Sequence, residues 1–224
     1  MHDLYYQYNP WWEGSSPLDD LKPREKYLQE LRRYLEFKHI IILAGLRRVG
    51  KTSLMKLIIN ELLTQNVEPH HIFYISLDDY MIQKATLFDL LSEYRQLHKI
   101  KVEEKIYLFF DEVTYKDNFH IQLKNIYDSQ NAKTFVASSS ASKLRDKKAS
   151  LTGRSITINI KPLDLYEYLF FKNIEIKKSD SQLYRAYFLD YIQSGGLPEN
   201  VLNPSREYLM SLGDIVNSCG SKKA

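Results

Sequence analysis

Residues 45–52 read Gly-Leu-Arg-Arg-Val-Gly-Lys-Thr and follow the apolar run Ile40-Ile41-Ile42-Leu43. The run predicts a buried strand, over about His39 to Leu43, and the glycines predict a tight turn after it. Leu54, Met55, Ile58, Ile59 and Leu62 repeat at helical spacing and predict a helix leaving that turn. Strand, glycine turn and helix in this order confine the chain to an α/β layer with a phosphate-binding loop at a strand end. Glycines let the backbone curl until several N–H groups face one phosphate chain, and the helix dipole adds positive charge there. The predicted nucleotide-binding segment is Gly45, Leu46, Arg47, Arg48, Val49, Gly50, Lys51, Thr52 and Ser53. Lys51 reaches the outer phosphates, and the Thr52 hydroxyl suits a magnesium ion. Arg47 and Arg48 read either as solvated charges or as groups that steady a phosphate or an adjoining subunit.

The rest of the chain extends this pattern. Further strands are predicted at Ile72–Ile75, Ile106–Phe110, Thr134–Ala137 and Ile156–Ile160. Helices alternate with them, one beginning near Pro23, one carrying Leu87 to Tyr94 and one near 117–128. Runs apolar on both faces, such as Ile106-Tyr107-Leu108-Phe109-Phe110, suit a parallel sheet covered on both sides. The expectation is a doubly wound parallel sheet of about five strands followed by a small helical region. Residues 1–162 would form the nucleotide-binding domain, 163–217 a helical lid and 218–224 a disordered tail. Residues 1–17 read as a turn-rich aromatic arm; its Trp11 and Trp12 either stack on adenine or pack on the body.

Asp111-Glu112 ends the third strand, at the edge where α/β sheets bind ligands. Magnesium takes oxygen ligands and keeps several waters, so Thr52, Asp111 and phosphate oxygens suffice. Glu112 could polarise an attacking water. Within Ser138–Ser142, Ser139 is the candidate to sense the terminal phosphate or orient the water, against the plain reading of a flexible turn. Asp78-Asp79 read as a solvated turn. Lys143 to Arg154 is a basic segment, ordinarily a solvated face. Arg154, after Gly153 and just before a predicted strand, is placed to act as an arginine finger in its own or a neighbouring subunit.

Composition excludes more than it selects. Hydrophobic residues make up 44% and charged residues 26%, ordinary for a globular protein. A net charge of +3 is too small to imply nucleic-acid binding alone. Cys219 is the single cysteine, which suits a reducing cytoplasm, and no apolar stretch approaches the ~20 residues of a membrane span.

Together these residues resemble the AAA+ ATPases, and more narrowly a group of archaeal and bacterial P-loop ATPases. The resemblance runs over Asn9-Pro10-Trp11-Trp12-Glu13, Gly45 to Thr52, Phe109 to Glu112, Thr152-Gly153-Arg154, Lys161 to Glu167 and Gly195-Gly196-Leu197-Pro198-Glu199, in order. It implies a five-stranded parallel core with a helical lid, and ATP with Mg2+ as the ligands. It further implies Lys51 on the phosphates, Thr52 and Asp111 at the metal, Glu112 activating water and a first sensor in Ser138–Ser140. Many AAA+ lids carry a sensor arginine where this chain has Gly-Gly-Leu-Pro-Glu. Members of the group usually continue into a C-terminal domain, often of winged-helix type, so the chain reads as a truncated or minimal version. The expected activity is ATP hydrolysis; the alternatives are an ATP-gated binding module with little turnover and, below it, a DNA-associated role. Expected partners are ATP and ADP, with a homo-oligomer or a protein partner, and no membrane.

Overall fold

The computed structural model describes residues 1–15, 21–140, 144, 148–176 and 180–203. Two compact units emerge. The first holds the described residues of Met1–Gly45 and Lys51–Ile160; the second joins Leu46–Gly50 to the described residues from Lys161 onward. Residues 204–217 of the expected lid and the expected tail at 218–224 lie outside the described residues.

The first unit is built on β1 (Ile40–Gly45), β2 (Ile72–Ser76), β3 (Ile106–Asp111), β4 (Ala132–Ser138) and β5 (Ser155–Ile160). They form one sheet in the order β2-β3-β4-β1-β5, with every neighbouring pair parallel. The α/β class and the five parallel strands are therefore as the sequence led one to expect. Ile40 to Ala44 are all buried, as are Ile106 and Leu108 to Phe110. Such double-sided burial is why these strands carry no polar alternation. Phe109 and Phe135 stack at 4.8 Å across the β3–β4 pair, where they sit in register.

Helices α1 (His2–Tyr8), α2 (Glu25–Arg33), α3 (Lys51–Thr64), α4 (Leu87–His98) and α5 (Phe119–Ser129) complete this unit. In α2, Tyr27, Leu28 and Leu31 are buried, the spacing of one helical face. A capping box between Thr86 and Asp89 starts α4, and Lys99 ends it in the left-handed region. Among the described residues no helix is long and apolar enough to cross a membrane.

The N-terminal arm departs from its turn-rich reading. It folds as α1 and a short 3-10 turn, Pro10–Glu13, and covers the outer edge of β2. The fully buried Asn9 side chain donates to the Tyr74 carbonyl at 2.9 Å and accepts from the Tyr74 N–H at 2.6 Å. It thus pairs with an edge strand as a neighbouring strand would. Trp11 and Trp12 both donate to the Ile72 carbonyl, at 3.3 and 3.0 Å. Edge groups left bare invite association with other chains, and this arm satisfies them. Trp11 and Trp12 are only 4% and 7% exposed. Burial of such rings favours the docked arm by about 4–6 kcal/mol each before entropy is counted.

The second unit contains α6 (Leu165–Phe171), α7 (Ser181–Ser194) and α8 (Pro198–Leu202). Asp164 and Glu167 form a capping box at the start of α6. Leu163, Tyr168, Leu169, Phe171 and Val201 make its core, with Tyr187 and Tyr191 packed against it. Gly196 adopts φ +65°, and a Cβ there would sit 2.8 Å from the Leu163 carbonyl oxygen. Only glycine permits both that conformation and the 2.7 Å hydrogen bond from the Leu163 N–H to the Gly196 carbonyl.

Candidate active site

Because all five strands are parallel, the C-terminal ends of β1, β3 and β4 share one edge of the sheet. The loop after β1, the Asp111-Glu112 pair and the serines after β4 therefore lie along the same border. β4 stands between β1 and β3, so Ser138 and Ser139 run out between the other two groups.

Gly45 closes β1, and α3 begins at Lys51. Between them Arg48 takes φ 64° and Gly50 φ 93°. Gly50 meets ordinary contact at most, its Cβ position lying 3.8 Å from Pro198 Cγ, so its backbone angle is what demands glycine. The Lys51 Nζ donates back to the Gly45 carbonyl at 3.2 Å, which folds the ammonium over the start of the loop. Arg47 is exposed, and Arg48 pairs with Glu199 at 3.2 Å within the second unit. Ser53 follows on α3, half-buried.

The Thr52 hydroxyl lies 2.5 Å from Asp111 Oδ2 and donates to it. Its proton is thereby committed to the carboxylate, which leaves the oxygen able to act as an electron-pair donor. Asp111 is 3% exposed and accepts two more hydrogen bonds, from the Tyr74 hydroxyl to Oδ2 at 3.1 Å and from the Glu112 N–H to Oδ1 at 2.9 Å. Burial, then the Asp111 charge, push the Tyr74 pKa far above its usual value, so its hydroxyl stays a donor. Hydroxyl and carboxylate oxygens are the donor set that suits Mg2+, and Thr52 with Asp111 would hold it.

Glu112 sits at φ 49°, ψ 43°, unusual for a residue with a Cβ, and opens the 3-10 turn Val113–Tyr115. Such conformations cost of order 1 kcal/mol or more and collect at functional sites. Its Oε2 accepts from both the Ser139 N–H, 3.1 Å, and the Ser139 hydroxyl, 2.8 Å. Ser138 is fully buried; its hydroxyl meets Thr114 Oγ1 at 2.9 Å and accepts from the Ser140 N–H at 3.0 Å. The serine that touches Glu112 is thus Ser139, while Ser138 ties β4 to the turn after β3.

Two expectations are revised, and one open alternative is resolved. Arg154 is placed at the opposite edge of the sheet: its carbonyl accepts from the Ile40 N–H at the start of β1, and its guanidinium pairs with Asp128 at 3.0 Å. β1 and β5 run in register from Ile40↔Ser155 to Gly45↔Ile160, so the strand length, roughly 17 Å, separates Arg154 from the C-terminal end of β1. This placement does not fit a finger acting in its own chain; the Asp128 ion pair fits the plain reading of a surface charge. Secondly, of the two readings of Trp11 and Trp12, packing on the body is the one observed. The Trp12 ring stacks on Phe73 and Tyr94 and meets His98 edge-on, with centroids at 6.2, 5.8 and 4.2 Å. Thirdly, Asp79 is more than a solvated turn: it accepts from the Met81 N–H at 2.8 Å and the Tyr8 hydroxyl at 2.9 Å. Lys143, Arg145 and Lys147 lie outside the described residues. Sequence reasoning missed Tyr74 and Asn9. The one available signal was a hydroxyl in the otherwise apolar run Ile72-Phe73-Tyr74-Ile75.

Comparison with known proteins agrees with this geometry. Residues 37–169 match the model of a family described as AAA domain. An uncharacterised protein of Methanocaldococcus jannaschii, MJ1637, is 35% identical over 153 residues, 66% of this chain and 32% of its own length. An uncharacterised protein of Haemophilus influenzae is 28% identical over 212 residues, 89% of this chain and 52% of its own. The chain spans about half or less of the length of these curated relatives. Among solved structures, the Walker-type ATPase PABY2304 of Pyrococcus abyssi superposes with TM-score 0.52 at 18% identity, covering 92% of this chain and 77% of that one. A chain of the S. cerevisiae Hsp104:casein complex superposes with TM-score 0.57 at 18% identity, over 96% and 42%. These two show a shared fold, and the family match spans more than half of the sequence. With a phosphate-loop sequence after β1 and acidic residues after β3 of a five-stranded parallel sheet, the chain belongs to the AAA domain family of the AAA+ P-loop ATPases.

Proposed function

We propose that this chain binds ATP with Mg2+ and hydrolyses the bond to the terminal phosphoryl group. The observation that carries the reading is the Thr52–Asp111 hydrogen bond at the edge where Glu112 meets Ser139. Phosphoryl transfer asks a protein chiefly for position and charge neutralisation. Lys51 would supply the positive charge on the outer phosphates. Thr52 and Asp111 would hold Mg2+, which when bound neutralises charge on the phosphate oxygens. Glu112 would accept the proton of the attacking water as its oxygen bonds to the terminal phosphorus and the bridging bond to ADP breaks. Ser139, through two hydrogen bonds, would fix where that carboxylate points. Arg154 would act on a neighbouring copy, which makes a homo-oligomer the working form. A single cysteine in the sequence suits a reducing compartment, and we place the reaction in the cytoplasm.

Two variants test this. Lys51→Ala is expected to lose both ATP affinity and phosphate release. Glu112→Gln is expected to bind ATP like the wild type and to release phosphate at least ~100-fold more slowly, the scale of general-base assistance. Undiminished phosphate release by Glu112→Gln would remove Glu112 from the mechanism.

One observation favours a second reading, an ATP-gated binding module with slow turnover. Glu112 Oε2 is already engaged by both Ser139 donors, which favour the charged carboxylate and leave Oε1 as the oxygen to take a proton. Sustained multiple turnovers by the purified chain alone would decide for the enzyme.

A further inference from the structure

Asp111 is oriented by more than its own loop. Of the donors on its carboxylate, the Glu112 N–H is its chain neighbour and the Thr52 hydroxyl is itself a candidate metal ligand. The Tyr74 hydroxyl comes from a third element, β2, and reaches Oδ2 at 3.1 Å from a ring only 4% exposed. β2 and β3 pair in register, Tyr74 beside Phe109 and Ser76 beside Asp111. The ring therefore runs two residues along the sheet to meet the carboxylate at the strand end.

Tyr74 is in turn held from outside the sheet. The Asn9 amide pairs with both its backbone N–H and its carbonyl, at 2.6 and 2.9 Å. The Tyr8 ring packs on the Tyr74 ring at 6.0 Å, and the Tyr8 hydroxyl is anchored on Asp79 at 2.9 Å. An aromatic ring has two torsions, so a fixed backbone and a packed face leave its hydroxyl little freedom. An unbroken series of contacts thus joins the N-terminal arm to Thr52: Asn9, Tyr74, Asp111, Thr52.

We infer that Tyr74 is a positioning residue of the metal site: its hydroxyl sets the orientation of Asp111, and the N-terminal arm, through Asn9, sets Tyr74. The inference rests on the reading of Thr52 and Asp111 as holders of Mg2+ under Proposed function. Partners that hydrogen-bond to metal-holding side chains fix their geometry, and losing one typically costs about 10–100-fold in metal affinity or activity. A hydroxyl that merely satisfied a buried ring would leave metal affinity alone when removed.

The test is Tyr74→Phe in the full chain, read by equilibrium binding of ATP at graded Mg2+ and in EDTA. The Mg2+ concentration that half-saturates the gain in ATP affinity is expected to rise about tenfold or more. Affinity in EDTA should stay within about twofold, since neither Lys51 nor the loop is touched. Asn9→Ala, assayed well below its unfolding midpoint, should shift the Mg2+ requirement in the same direction and serves if Tyr74→Phe does not fold. An unchanged Mg2+ requirement in Tyr74→Phe overturns the inference. A shift in Tyr74→Phe with none in Asn9→Ala overturns the part assigned to the arm. Mg2+-independent ATP binding by the wild type would instead bring down the metal reading itself, and this inference with it.

Discussion

Replacing Asn9 by alanine should destabilise the fold out of proportion to the few atoms removed. The side chain is fully buried and makes three hydrogen bonds, two with Tyr74 backbone groups and one with the Tyr5 carbonyl. The Tyr5 carbonyl keeps a second partner in the Asn9 N–H, at 2.9 Å. The Tyr74 N–H and carbonyl face away from β3 on an edge strand, and alanine leaves both without Asn9. A buried backbone group deprived of its partner costs about 1–3 kcal/mol, so Asn9→Ala should lose about 2–5 kcal/mol. For a chain of this size that is a fall of about 5–15 °C in melting temperature. Urea unfolding followed by circular dichroism measures it, with a lower midpoint and an unchanged slope. Asn9→Asp is the sharper variant. It keeps an acceptor for the Tyr74 N–H but turns a carboxylate towards the Tyr74 and Tyr5 carbonyls, so it should be no better than alanine. A loss under about 0.5 kcal/mol for Asn9→Ala, or a wild-type melting point for Asn9→Asp, would refute the reading of Asn9 as a substitute strand.

Two other predictions follow from single residues. Burial, then the nearby His70 and His2, pull the His98 pKa down to about 4 from 6.5. The folded state therefore binds this proton more weakly than the unfolded chain does. Stability from this group is intact above pH 6.5 and falls as pH drops towards 4, by at most about 3 kcal/mol. His98→Phe should flatten the difference in melting temperature between pH 7.5 and pH 5; an unaltered difference would clear His98 of the effect. Arg154→Ala should slow phosphate release at least about tenfold, or ~1.4 kcal/mol of barrier, with ATP affinity little changed. Mixing it with Lys51→Ala chains should restore part of the activity, since each mixed interface can join an intact loop to an intact arginine; no recovery would sink the trans reading.

What the sequence made legible was whatever is written locally. The phosphate loop, the double-sided apolar strands and the Asp111-Glu112 pair each declare themselves within ten residues. Residues whose meaning depends on strand order were not legible. Tyr74 looks like one more aromatic in an apolar run until β2 is seen paired to β3. Asn9 is a turn residue in sequence and an edge-strand partner in the fold. The α1 helix has no side-chain cap and is seven residues long, too short to stand alone; its packing on β2 holds it. The short α8 begins with proline at its first turn, a start signal hidden behind the preceding Gly-Gly.

Strand order also explains which acidic residues can serve the loop. Asp79 lies just past β2 and Asp111 ends β3, so both sit at the C-terminal end of a parallel strand and look equivalent in sequence. β3 lies two positions from β1, roughly 10 Å, whereas β2 lies three away, roughly 14 Å, at the sheet margin. A threonine in the first turn of the helix after β1 can meet a carboxylate at the nearer distance, and Thr52 meets Asp111. At the margin, Asp79 is taken up by the arm through Tyr8 and by its own turn through Met81. Arg154 obeys the same geometry along the other axis. It precedes β5 while the loop follows β1, so parallel pairing puts the two at opposite ends of adjacent strands. A cation in that position can meet a terminal phosphate only if a second copy presents its loop to it. If Arg154 serves the reaction, strand direction requires a second copy, and absence of recovery in the mixing experiment removes that role.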